Sequence, residues 1–131
     1  MSLTLAEANR IIKGAMAKAS DLDIRISAAV VDAGGRLLAF QRMEGAIWAS
    51  AYGSQGKAIA SVAFGQTSGN LQVRASEPIM QGIAAAEGAH MIMSQGAVPI
   101  MRGGQPIGAC GVGGGTGAED EECARAGADC L

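Results

Sequence analysis

Lys57 stands in the middle of a run of small residues: Ala51, Gly53, Ser54, Gly56, Ala58 and Ser61. A lysine rising from such a face has space around its ammonium for a ligand carboxylate or carbonyl. The competing reading is a solvated lysine on the polar side of a helix. Arg42 and Glu44 lie upstream, where Arg42 suits either a bidentate carboxylate contact or a surface pair with Glu44. Downstream, a glycine-dense stretch from Gly111 to Gly117 runs into Glu119, Asp120, Glu121 and Glu122. Backbone N–H groups at a helix start can hold an anion, so Gly113, Gly114, Gly115 and Thr116 are candidates to wall a pocket. In this reading Lys57, Glu44 and Asp120 move protons or stabilise charge, while Arg42 and the glycine-run amides hold the ligand. That set suits tautomerisation, hydration or deamination of a compact carboxylated metabolite.

His90 is the only histidine and the only side chain whose unperturbed pKa lies near neutrality. It reads as a half-exposed edge residue, a catalytic base or a haem ligand. Cys110, Cys123 and Cys130 lack the spacing of a zinc site, and no residue beside them supplies the positive field a nucleophilic thiolate needs. Cys123 and Cys130, seven apart, share a helix face and read as core. Gly113-x-Gly115-x-x-Ala118 matches the dinucleotide fingerprint in form, but no strand follows it and its acidic neighbours would repel a pyrophosphate. The methionines, Met43, Met80, Met91, Met93 and Met101 among them, fill core gaps or offer a thioether to iron.

The elements that must position these groups follow from periodicity. Thr4-Leu5-Ala6-Glu7 is a capping box, and Leu5, Ala8, Ile12, Ala15 and Ala19 form one apolar stripe on a helix to about Ser20. Residues 24–30 alternate as a strand, 32–35 turn, and 36–41 return. A helix from about Ala46 to Phe64 stops at Gly65. It carries one stripe of Trp48, Tyr52, Gln55, Ile59 and Val62, with a smaller-residue stripe of Ala51, Ser54, Ala58 and Ser61 beside it. Between Gln66 and Gly88 a short helix over 70–76 is interrupted by Pro78, and 82–87 adds another turn. Strands are expected at 90–94, 97–101 and 106–112, the last two joined by a hairpin turn at 102–105. Thr116-Gly117-Ala118-Glu119 is a second capping box opening the final helix, whose acidic first turn suits the helix dipole. Short links imply an antiparallel sheet with helices packed on it.

Composition narrows the function classes. The chain has 131 residues, the length of a single domain over 1–131, and a net charge of −2. That balance gives no footprint for nucleic acid. No apolar run reaches spanning length and no leader is evident, and an odd number of cysteines suits a reducing compartment, so a cytoplasmic protein without a membrane partner is expected. Trp48, Tyr52, Phe40 and Phe64 are the only aromatic side chains, against twenty glycines. Small side chains remove little apolar area from water, so further burial in a homo-oligomer is expected. A monomeric sedimentation profile at micromolar concentration would contradict it.

Several blocks in order carry a resemblance. They are Leu5-x-x-Ala8; Val30-Val31-Asp32-Ala33-Gly34-Gly35-x-Leu37-Leu38-Ala39-Phe40-x-Arg42-Met43; Gly56-Lys57-Ala58 with Phe64-Gly65; Gly104-x-Pro106-Ile107-Gly108-Ala109 with Gly111-Val112-x-Gly114-Gly115; and Asp120-Glu121. The chain resembles the GlcG/HbpS-like proteins, which include the C-terminal domain of PduO corrinoid adenosyltransferases, over nearly its whole length. The resemblance implies a three-layer α/β/α sandwich around a five-stranded antiparallel sheet, profilin- or roadblock-like. It also implies higher oligomers and a place beside catabolic enzymes, with haem or its degradation products as ligands of some members. In haem-binding relatives an axial histidine comes from the N-terminal helical region; here no histidine precedes His90. The adenosyltransferase activity belongs to another domain and does not carry over. Three readings follow: an oligomeric small-molecule protein of a catabolic pathway, a haem- or tetrapyrrole-binding or redox-sensing module without catalysis, and a structural partner of a neighbouring enzyme.

Overall fold

The computed structural model describes residues 2–131. The order is α1 (Leu5–Asp21), β1 (Ser27–Asp32), β2 (Leu37–Arg42), α2 (Ala49–Phe64), α3 (Ser68–Gln72), α4 (Pro78–Ala86), β3 (Ala97–Arg102), β4 (Gln105–Gly113) and α5 (Gly117–Ala128). Both capping boxes form. Thr4 Oγ1 accepts the Glu7 N–H at 3.1 Å while the Thr4 N–H donates to Glu7 Oε1 at 2.9 Å. Thr116 and Glu119 repeat the exchange at α5. α1 buries Ala8, Ile11, Ile12, Ala15 and Ala19. Leu5, expected on that stripe, is exposed: at 100° per residue the buried face centres roughly 60° away from it.

Among the described residues the sheet has four strands, order β2-β1-β4-β3, with every neighbouring pair antiparallel. The expected fifth strand at 90–94 does not form. Its backbone is tied to a helix instead, the Ile92 N–H donating to Gly56 O of α2 at 3.0 Å. Gly103 and Gly104, at φ 58° and 77°, make the two-residue loop between β3 and β4 that strand twist favours. Pro78 does not interrupt a helix but opens α4 at its first turn, where the missing N–H costs nothing.

The two sheet faces are covered differently. Ala28, Val30, Val98, Ile100, Cys110 and Val112 pack with α1 and with Cys123 and Ala124 of α5. Cys130 was expected to share that buried face, but α5 ends at Ala128 and Cys130 is exposed. On the opposite side Val31 and Ala109 pack with Ala58 and Val62 of α2. The small stripe of α2 meets the sheet, with Ser50, Ser54, Ala58 and Ser61 buried. The aromatic end of its larger stripe faces outward: Trp48 is 72 % and Tyr52 68 % exposed. The reason lies in β4. A Cβ at Gly113 would stand 2.9 Å from Ser50 O, and one at Gly111 would overlap Ser54 O. Helix and strand backbones touch there, and only small side chains fit between them. The buried hydroxyls find partners locally: Ser54 donates to Ala51 O at 3.0 Å, Ser61 to Gln66 O at 2.6 Å, and Ser50 meets Ser27 at 2.7 Å.

Candidate functional site

α2 serves two polar places, and consecutive residues separate them. Lys57 leaves the helix past Gly96, where a Cβ would stand 2.6 Å from Nζ. It donates to Val112 O at 2.9 Å and to Asp120 Oδ2 at 3.0 Å. Asp120 sits in the first turn of α5, and its other oxygen accepts the Gly115 N–H at 2.8 Å. The side chains are 11 % and 3 % exposed. Burial pushes the Asp120 carboxyl above its usual range, against the pull of Lys57 and the Gly115 N–H. The junction thus joins α2, β4 and α5 through one desolvated ion pair.

The structure brings together Lys57, Asp120 and Gly115 from the candidate set. Their polar atoms point at one another. The Thr116 N–H is likewise occupied, donating to Glu119 Oε1 at 2.9 Å. Gly113 is packed against α2, and Gly114 lies over the backbone of Arg25 and Ile26. Arg42 shares a register row with Ser27 and Gly113 but donates to Ala46 O at 2.9 Å, shaping the entry to α2. Glu44 is exposed on that entry loop. The two buried thiols stay protonated: burial pushes Cys110 up to about 12 and Cys123 up to about 11.

The second place is an open groove of about 380 Å³ on the other flank of α2. Val31, Leu37, Ile59 and Ile92 give it apolar walls, Tyr52 stands at its side, and His90 and Arg36 bring an imidazole and a guanidinium to it. Three separate segments build it: the β1–β2 turn, the outer face of α2, and residues 89–92. Gly56 lets the last of these dock, since a Cβ there would lie 2.5 Å from the Ile92 side chain and 2.8 Å from His90 O. Gly88 and Ala89, both with positive φ (77° and 62°), turn the chain out of α4 and present His90. A left-handed alanine is uncommon and marks a tightly determined turn. His90 is exposed. Sequence reasoning named His90 but missed the groove, because its walls are non-adjacent apolar residues that form no motif. Among the described residues no group of three His, Cys, Asp or Glu side chains is placed to hold a metal ion, and no helix is long and apolar enough to cross a membrane.

Comparison with known proteins gives the family and the fold. The family model described as haem degrading protein HbpS-like matches residues 3–129. An uncharacterized 15.0 kDa protein in the dhaT-dhaS intergenic region of Citrobacter freundii is 30% identical over 132 residues, 99% of this chain and 92% of that protein. The crystal structure of a double mutant of HbpS from Streptomyces reticuli superposes with a TM-score of 0.89 at 30% identity, covering 100% of this chain and 88% of that one. A PduOC:heme complex superposes at 0.88 with 22% identity, over 100% and 96% of the two chains, a likeness of fold.

Proposed function

The chain belongs to the family whose model is described as haem degrading protein HbpS-like, and we propose that it binds a planar, apolar ligand of the tetrapyrrole class, haem foremost. The observation that carries this reading is the make-up of the groove beside His90: apolar walls, one imidazole and one guanidinium in about 380 Å³. An iron porphyrin asks for an apolar slot, an axial donor and a partner for its propionates, and these residues fit all three. His90 would supply the imidazole, Leu37, Ile59 and Ile92 the walls, and Arg36 the cation. When bound, haem supplies a redox-active iron whose potential depends on its axial ligand and surroundings. The protein's own part is to exclude water from one porphyrin face and to hold the ring against α2. α1 carries no histidine, so in this reading the imidazole arrives from the other side of the sheet, on the turn after α4.

The reading centred on Lys57 and a carboxylated metabolite has less support, because the Lys57 ammonium, the Arg42 guanidinium and the Gly115 and Thr116 amides all have partners within the protein. Cytoplasmic placement is supported by the three free cysteines, as thiols stay reduced in that compartment. A homo-oligomer is supported by the exposed edge-to-face pair of Trp48 and Tyr52.

Titration with hemin tests the function. The wild type should develop a Soret band saturating at one equivalent, and His90→Ala should lose or shift it while its melting temperature stays put. No spectral change in the wild type at stoichiometric hemin would refute the proposal.

A further inference from the structure

The groove's one cation is already engaged. Arg36 Nη1 lies 3.5 Å from Glu87 Oε1, the guanidinium side chain 74 % exposed and the carboxylate 33 %. Arg36 lines the groove, and no Asp or Glu does. Glu87 lies just outside, in an adjoining hollow with Gly35, Ile59 and Met91. We propose that Arg36 is a carboxylate anchor held at the rim by Glu87, so that the groove selects apolar ligands bearing an acid group over the same ligands esterified. This rests on the tetrapyrrole reading and deepens it.

The geometry supports an exchange of partners. The Arg36 backbone is fixed: Asp32 Oδ1 accepts the Gly34 and Arg36 N–H groups at 2.9 and 3.0 Å, and the Asp32 N–H donates to Arg36 O at 2.8 Å. Among the described residues, its side chain is restrained by the single long contact to Glu87 alone. A monodentate pair in solvent gains little, because water screens it and two long side chains must be ordered to hold it. A ligand whose apolar body fills the groove delivers its carboxylate beside Arg36, excludes water there, and can accept two parallel N–H donors from the planar guanidinium. Glu87 then turns back to solvent. A neutral ester leaves the Arg36–Glu87 pair in place and gains only the apolar walls.

The experiment compares protoporphyrin IX with its dimethyl ester, both without iron so that His90 contributes nothing axial, by fluorescence titration in the same detergent. In the wild type the diacid should bind about tenfold more tightly than the diester, the equivalent of one charge-assisted contact. Arg36→Gln should bring the ratio to near one while the melting temperature holds, since main-chain bonds secure the turn. Glu87→Gln should tighten diacid binding several-fold and leave the diester unchanged. Equal binding of the two porphyrins in the wild type, or an unaltered ratio in Arg36→Gln, overturns the anchor and leaves the groove standing. Failure of either porphyrin, and of hemin, to bind the wild type overturns both.

Discussion

Gly56 and Lys57 are neighbours in α2, yet they belong to opposite kinds of place. Lys57 enters a junction where every named partner is protein, and its pair with Asp120 is sealed behind Gly96 and Val112. Gly56 floors a groove whose imidazole faces solvent and whose guanidinium holds one weak surface contact. The chain has ionised groups at both, so the presence of charge alone does not tell the two places apart. What distinguishes them is whether the polar atoms are already satisfied. A buried, mutually bonded pair fixes the relation of two layers, whereas groups left toward an apolar concavity have capacity for a ligand.

The sharpest way to break this distinction is to remove one half of the junction. Asp120→Ala leaves the Lys57 ammonium buried with only a carbonyl for company, and loss of one member of such a pair costs about 3–5 kcal/mol. Urea unfolding should show that loss. Hemin binding per folded molecule should be unchanged, because the junction is not part of the groove. A variant of native stability with abolished ligand binding would return Lys57 and Asp120 to the ligand's side of the ledger.

The groove is tested next through its floor. Gly56→Ala drives a methyl into Ile92 and His90 O, and overpacking of this kind costs about 1–3 kcal/mol. Here stability and affinity should fall together, because the segment pushed off α2 is the one that carries His90. Comparing melting temperature and hemin affinity in the same variant checks it. A stable variant with native affinity would mean that residues 89–92 are not seated as described.

Local signals in the sequence were reliable where four residues suffice. Thr4 to Glu7 and Thr116 to Glu119 cap their helices as read, and Gly65 ends α2 in the left-handed conformation expected of it. The fifth strand failed because 90–94 has a strand's apolar content, while its hydrogen-bonding partner is Gly56 of a helix distant in sequence. The small residues around Lys57 were a true sign of close approach, and in the fold the backbone of β4 at Gly111 and Gly113 approaches them. The groove could not be read at all from spacing, since residues 31–37, 52–59 and 89–92 meet only once α2 lies on the sheet.

The smallest effects are electrostatic, and they separate a buried acid from a half-buried one by sign. The Glu7 carboxyl is held below its usual 4.5 chiefly by the Thr4 N–H, with Arg102 assisting. Folded, it takes up a proton less readily than unfolded, so its stabilisation is complete above about 4.5 and is lost as pH falls through the lower folded value. Asp120 runs the other way. Burial raises its carboxyl above 3.8 despite Lys57, so its contribution is fullest below 3.8 and declines as pH rises through the higher folded value. On titrating from about pH 7 to about pH 3, the stability gap between wild type and Glu7→Gln should therefore narrow, while that between wild type and Asp120→Asn should move in the opposite direction. Equilibrium urea unfolding across that range measures both gaps. If the Asp120 gap also narrows, attraction to Lys57 outweighs desolvation, and the junction is held together by its charges more than it is strained by burying them.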